Sequence, residues 1–237
     1  MKTLIAILFS LNIYSQNCNC ESKPELKKII SCKKEKFSNG STLSWQFDCN
    51  SSRLIFQNGK IKKTIFVLES DLMDFTGRLG YSNWKEYNTT FLIENRPVSG
   101  CCDPSEFILF DKNSGNIVKE LGTYLYQYNK REDRKFIITL SGFDTIYVTD
   151  LLTTKIKKIK ITSGRLENTL KNTKFLFANE LFQEPVVTNR FVVLKYKYKN
   201  SKHDNWKVST IKIDLNKGLL FHICYCHYQS FPQLIIK

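Results

Sequence analysis

The feature that most constrains this chain is a short unit that recurs along it: an alternating strand, an Asp, a turn of three or four residues, and a second strand. Three copies are Phe107-Ile-Leu-Phe-Asp-Lys-Asn-Ser-Gly-Asn-Ile-Val118, Ile146-Tyr-Val-Thr-Asp-Leu-Leu-Thr-Thr-Lys-Ile-Lys157 and Thr210-Ile-Lys-Ile-Asp-Leu-Asn-Lys-Gly-Leu-Leu-Phe221. A fourth, weaker copy is Leu54-Ile-Phe-Gln-Asn-Gly-Lys-Ile-Lys-Lys63. The Asp carboxylate accepts hydrogen bonds from turn N–H groups, and Gly or Asn tolerates positive φ, so each unit carries the chemistry of a tight hairpin. A chain built this way folds into antiparallel sheets.

The rest of the sequence agrees. Segments rich in β-branched and aromatic residues read as strands at 43–47, 53–56, 61–68, 90–94, 106–110 and 122–128. The same pattern covers 135–140, 145–149, 155–161, 190–199, 208–214 and 219–224. Helix signals are few and lie in the N-terminal third. Ser22-Lys-Pro-Glu25 has capping-box spacing ahead of Leu26, Ile29 and Ile30. Ser70-Asp-Leu-Met-Asp-Phe75 is a second helix start, and Ser82-Asn-Trp-Lys-Glu-Tyr87 reads as a further helical turn.

The hairpin units resemble the outer hairpins of β-propeller blades, most closely over 135–161, where three strands fall in blade order. That resemblance implies an irregular or four-to-five-bladed propeller-like fold. No Gly-His…Trp-Asp signature accompanies it, and a β-sandwich built from the same hairpins is the alternative. With 237 residues the expectation is one mainly-β domain over 17–237, preceded by a signal peptide at 1–16. Lys2 is the positive n-region, Leu4–Leu11 the apolar stretch, and Ser15 and Gln16 the small or polar residues that follow. Eight apolar residues fall far short of the ~20 that a spanning helix needs. The expected location is secreted or periplasmic, with no transmembrane segment.

Cysteine usage fits export. The eight cysteines (Cys18, Cys20, Cys32, Cys49, Cys101, Cys102, Cys224 and Cys226) are even in number and lie beyond the leader, the pattern of a disulfide set. Cys18 and Cys20 are too close to bond each other easily. A clasp joining that pair to Cys224 and Cys226, and a Cys32–Cys49 bridge, are the expected pairings. Cys101-Cys102 lies in a turn, where two staples to different neighbours compete with a reducible vicinal bond.

Sites with chemistry are scarce. On a strand, His222, Cys224 and Cys226 share one face, a zinc or copper candidate with Cys18 or Cys20 as fourth ligand. Disulfides are the preferred reading of the same residues, and no cofactor is expected. No nucleophile elbow, P-loop, dinucleotide fingerprint or His-Glu-x-x-His motif occurs. Asp71 and Asp74 fit the first turn of a helix better than an acid–base pair. Three N-glycosylation patterns, at Asn39, Asn50 and Asn88, are unsurprising in an Asn-rich chain.

The charge is the remaining signal. The chain carries +14, and only seven of its 36 basic residues are Arg. Lysine concentrates at Lys155, Lys157, Lys158 and Lys160, and again at Lys195, Lys197 and Lys199, the candidate contacts for a polyanion. In the second group, strand alternation puts Tyr196 and Tyr198 on the face opposite the lysines. Base readout favours Arg, and single-strand platforms want aromatics on the basic face, so specific nucleic-acid binding is not expected. The chain therefore reads as an exported, non-enzymatic protein that binds another protein or a surface polymer. A metal or thiol-redox protein using the His222–Cys226 cluster is the first alternative. A hydrolase with carboxylates from distant parts of the chain is the second.

Overall fold

The computed structural model describes residues 18–69, 83–95 and 104–215. The leader, Asp71, Asp74, Cys101, Cys102 and the His222–Cys226 cluster lie outside them. The described residues are mainly β, every strand pairing within three sheets is antiparallel, and two short α-helices accompany them. The chain divides into two compact units, Met1–Gly80 and Tyr81–Lys237.

The first unit holds one four-stranded meander: β1 (Glu35–Lys36), β2 (Thr42–Phe47), β3 (Ser51–Asn58) and β4 (Ile61–Glu69). Gly59 and Lys60 turn β3 into β4, with Gly59 at φ 55°. Asp48 turns β2 into β3, its Oδ1 accepting from the N–H groups of Asn50 and Ser51 at 2.8 and 2.9 Å. Leu43, Phe47, Leu54 and Phe56 are wholly buried.

Ahead of β1 lies α1 (Leu26–Ile29), over the residues expected to be helical, but its N-cap is Glu25 and no side chain caps it, so the capping box expected at Ser22-Lys-Pro-Glu25 does not form. Four residues are far too few for a helix to persist alone. Burial of Leu26 and Ile30 and two crossed disulfides hold it instead. Cys18 bonds Cys32, with Cα atoms 6.3 Å apart, and Cys20 bonds Cys49, with Cα atoms 4.8 Å apart. These pairings overturn three expectations. Cys32 and Cys49 bond the N-terminal pair instead of each other, so Cys18 and Cys20 are free neither for a clasp to Cys224 and Cys226 nor as fourth metal ligand. Local order explains the difference: α1 and the β2–β3 turn bring Cys32 and Cys49 to the N-terminal segment, and sequence spacing alone does not reveal that approach. Disulfide formation accords with an oxidising compartment.

The second unit opens with a seven-stranded meander in strict chain order. Its strands are β5 (Asn83–Glu86), β6 (Thr90–Asn95), β7 (Glu106–Asp111), β8 (Ile117–Arg131), β9 (Arg134–Ser141), β10 (Thr145–Asp150) and β11 (Ile156–Lys160). A three-stranded sheet follows: β12 (Val186–Val187), β13 (Phe191–Tyr198) and β14 (Lys207–Asp214). Residues 83–86, expected as a helical turn, are strand β5; pairing of Trp84 with Ile93 in the ladder overrides a weak local preference. The second α-helix, α2 (Arg165–Lys171), and a 3₁₀ turn at Ala178–Leu181 lie in this unit, away from the N-terminal third.

The recurrent Asp units are hairpins as read. Asp111 and Asp150 build matching turns. In each, the residue four on donates its N–H to the Asp carbonyl (Gly115, 2.9 Å; Thr154, 2.8 Å). The next residue's carbonyl accepts the Asp N–H. The side chains match as well: Asp111 Oδ1 accepts from Asn113 and Ser114, Asp150 Oδ1 from Leu152 and Thr153. The corresponding turn after Asp214 lies outside the described residues.

Strands β9 and β10 are buried on both faces, which is why they read as near-continuous apolar runs. Phe136, Ile138, Leu140, Ile146 and Val148 join Leu166 of α2 and Val192, Leu194, Tyr196, Ile211 and Ile213 in one core. Ile137 and Tyr147 point the other way into a second cluster with Leu92, Leu109, Leu121 and Leu151. The three-stranded sheet thus packs its inner face against the β9–β11 end of the meander and leaves its outer face to solvent.

Candidate functional site

The lysine-rich strands take different roles. On β11 the charges split between two faces. Lys157 shares a face with buried Ile159, and its ammonium donates to the Asp214 carbonyl. Burial lowers the Lys157 pKa below the ordinary lysine value, and the Asp214 charge partly opposes that shift. Lys160 pairs with Asp144 at 2.8 Å, while Lys155 and Lys158 are exposed. Lys160 holds the Asp144 carboxyl below its usual range, with a hydrogen bond from Thr145 adding to the effect. Lys155 and Lys157, together with Arg134 and Lys135, line a cleft of about 360 Å3 floored by Phe136, Val148 and Ile156. Three of its cations have protein partners: Lys157 donates to the Asp214 carbonyl, Lys135 pairs with Glu132, and Arg134 donates to the Asn189 carbonyl. The four lysines of this stretch do not form one row.

On β13 they do. Tyr196 and Tyr198 are buried, and Lys195 and Lys197 alternate with them on the outer face. Lys199 follows directly. The register sets Thr210 opposite Lys195, Val208 opposite Lys197 and Lys212 opposite Val193, so Lys212 of β14 extends the same basic face. Neither strand carries a carboxylate apart from Asp214 at the end of β14, which Arg190 neutralises at 3.3 Å.

The basic face also carries aromatics, contrary to the expectation from alternation. Strand alternation keeps Tyr196 and Tyr198 off the basic face, yet aromatics reach it from two loops. Lys197 Nζ lies 4.2 Å from the Phe175 ring centroid and 5.3 Å from that of Trp206. Lys199 Nζ lies 5.1 Å from the Trp206 ring, and Lys212 Nζ 3.9 Å from that of Phe191. Phe175 and Trp206 meet edge to face, 6.0 Å apart. At these distances each ammonium sits in the favourable field of a ring. Phe175 follows α2 and Trp206 precedes β14, so only the folded chain brings them together. The local signs were Phe191, which alternation along β13 puts on the face of Lys195 and Lys197, and Trp206 beside Lys207 in a polar loop.

The segment carrying Phe175 is held firmly. Thr169, wholly buried on α2, donates to the Arg165 carbonyl at 2.7 Å and accepts the Lys199 N–H at 2.9 Å. That clamp ties the helix to the end of β13 and fixes where Lys199 begins. Arg165 lies over the Tyr198 ring at 4.5 Å and reinforces the joint. Beyond the helix, Glu180 Oε2 accepts the N–H groups of Leu176 and Phe177 at 3.1 and 3.3 Å.

The preferred chemistry of the His222–Cys226 cluster lies outside the described residues. Among those described, no three His, Cys, Asp or Glu side chains gather to hold a metal ion. No described helix is long and apolar enough to cross a membrane. Comparison with known proteins returns no family model that matches the sequence, no curated protein with a matching sequence and no solved structure with a matching fold.

Proposed function

We propose that this is an exported, non-catalytic binding protein that takes an anionic partner on the outer face of the β12–β14 sheet. The observation that carries the reading is the row Lys195, Lys197 and Lys199, extended by Lys212, on a face whose only strand carboxylate is already paired. Such a face concentrates positive potential where solvent and partner can reach it. The disulfides and the leader-like residues 1–16 support a secreted or periplasmic location. Packing of β9–β11 against β13 and β14 through a shared core supports the sandwich-like alternative over blades.

The test is salt elution from a sulfated-dextran column. The triple substitution Lys195→Gln, Lys197→Gln and Lys199→Gln is expected to elute at clearly lower salt than the wild type. Lys155→Gln, Lys158→Gln and Lys160→Gln together remove the same formal charge and should shift elution much less. Equal shifts would show that retention follows net charge alone and would remove the basis for a dedicated face.

A further inference from the structure

The basic face is also unusually apolar for a solvated surface. Leu176 is 71% exposed, Val208 57% and Trp206 44%. Val208 lies opposite Lys197 in the ladder, and Leu176 follows the Phe175 that touches Trp206 and Lys197. Leu176 is no frayed loop residue, because Glu180 pins its N–H. An anionic polymer would use the lysines and leave these apolar side chains without purpose. A bilayer surface uses both.

Building on the anionic-partner reading, we infer that this face docks on an anionic phospholipid bilayer, with Leu176, Trp206 and Val208 entering the interface and Lys195, Lys197, Lys199 and Lys212 meeting the headgroups. The side-chain chemistry matches each layer. Indole rings favour the headgroup level, where an apolar body and a polar N–H are both satisfied. Lysine stems can lie along apolar surface while their ammonium groups reach the headgroups. Charge or apolar contact alone gives only marginal attachment to a membrane, and the two together give stable docking. Lysine suits this role, since diffuse headgroup charge needs no bidentate fork. A planar partner also fits a three-stranded sheet face better than a deep cleft would.

Co-flotation of the full chain with vesicles tests this. The expected result is binding to vesicles of equimolar phosphatidylglycerol and phosphatidylcholine and little binding to phosphatidylcholine alone. Each Lys→Gln at 195, 197 or 199 should lower partitioning about five-fold, corresponding to about 1 kcal/mol per lysine near the surface. Leu176→Ser with Val208→Ser should lower it by about a further order of magnitude while leaving sulfated-dextran retention nearly unchanged, since neither side chain is one of the rings that the lysines of the row lie over. Both side chains are substantially exposed, and an unchanged thermal midpoint confirms that the variant is folded. Retention on sulfated dextran with no vesicle binding would overturn the membrane proposal and leave the anionic-partner reading standing. Vesicle binding indifferent to Leu176 and Val208 would also overturn it. Failure to bind either material would overturn both.

Discussion

Gly122 offers the sharpest test of how the long meander is assembled. Along β8 the pairing with β7 skips a residue: Ile108 faces Glu120 and Phe107 faces Gly122, leaving Leu121 as the extra residue of a bulge. The bulge sends Leu121 fully into the core, and Gly122 makes it possible with φ at 81°. A Cβ built there would lie 2.3 Å from the Leu140 carbonyl oxygen and 2.9 Å from its carbon, both backbone atoms of β9. Two costs therefore stack in Gly122→Ala. The left-handed conformation costs an alanine about 1–2 kcal/mol. The clash, well inside ordinary contact distance, forces apart strands whose other face is packed core, a cost of about 2–3 kcal/mol by analogy with overpacking. The alanine recovers about 0.4–1 kcal/mol by restricting the unfolded chain. The net loss is about 3 kcal/mol.

Gly142, in the β9–β10 turn, separates the two costs. Its φ is 61°, and a Cβ there meets nothing within 4 Å. Gly142→Ala should therefore lose only the conformational difference, about 0.5–1 kcal/mol. Thermal unfolding followed by circular dichroism should show a midpoint lower by about 10 °C for Gly122→Ala and by about 2 °C for Gly142→Ala. If the two variants melt within a degree or two of each other, the β8–β9 approach is not the tight contact argued here, and the bulge deforms at little cost.

Other expectations follow from single features. Reducing the two disulfides should destabilise the first unit by about 3 kcal/mol for the Cys18–Cys32 loop and about 3.5 kcal/mol for the Cys20–Cys49 loop, read from denaturant midpoints with and without reductant. Thr154, at φ 58°, occupies the place that Gly115 fills in the matching turn, so Thr154→Gly should raise stability by about 0.5–1 kcal/mol in a urea melt. Thr169→Val keeps the shape but strands the Lys199 N–H, and should cost about 1–3 kcal/mol and speed hydrogen exchange at Lys199. At the acid end, the Ser114 hydroxyl and neighbouring N–H groups lower the Asp111 pKa below its ordinary value, against a smaller opposing effect of burial. The folded state therefore holds that proton less tightly than the unfolded chain does. The stability involved is complete above the unfolded value near 3.9 and is lost as pH falls through the lower folded value. Asp111→Asn should flatten the fall in melting temperature below about pH 4, measured against wild type at matched ionic strength.

How far the sequence carries depends on the range of the interaction that decides each feature. Hairpins are local, and the Asp units at 111 and 150 appear where the sequence places them because carboxylate, turn N–H groups and positive-φ residue all fall within five positions. Alternation along β13 is local too, so the separation of Lys195 and Lys197 from Tyr196 and Tyr198 is legible in advance. Strand β5 is the opposite case: residues 83–86 look weakly helical in isolation, and their pairing with residues 91–94 decides otherwise. Cysteine pairing likewise depends on which segments meet, and in the fold α1 and the β2–β3 turn set Cys32 and Cys49 beside Cys18 and Cys20.

The basic face shows most clearly what local reading misses. Period-2 alternation correctly removes the tyrosines of β13 from the lysine side, and the step from there to a face without aromatics is the error. A strand's surface is furnished by whatever packs beside it, and here that is Phe175, 24 residues away from Lys199, and Trp206, seven away. Thr169 joins α2 to the end of β13 and so sets where Phe175 and Leu176 emerge. A buried threonine on a seven-residue helix gives no hint in sequence of governing a surface thirty residues downstream. Its effect is nevertheless direct: loosening that clamp should displace the aromatic rim and Lys199 before it disturbs the rest of the lysine row, because Lys195, Lys197 and Lys212 are fixed by the β13–β14 ladder and the rim is not. Thr169→Val should therefore weaken vesicle binding more than sulfated-dextran retention, and equal losses in both would mean that the rim is held by something other than the helix.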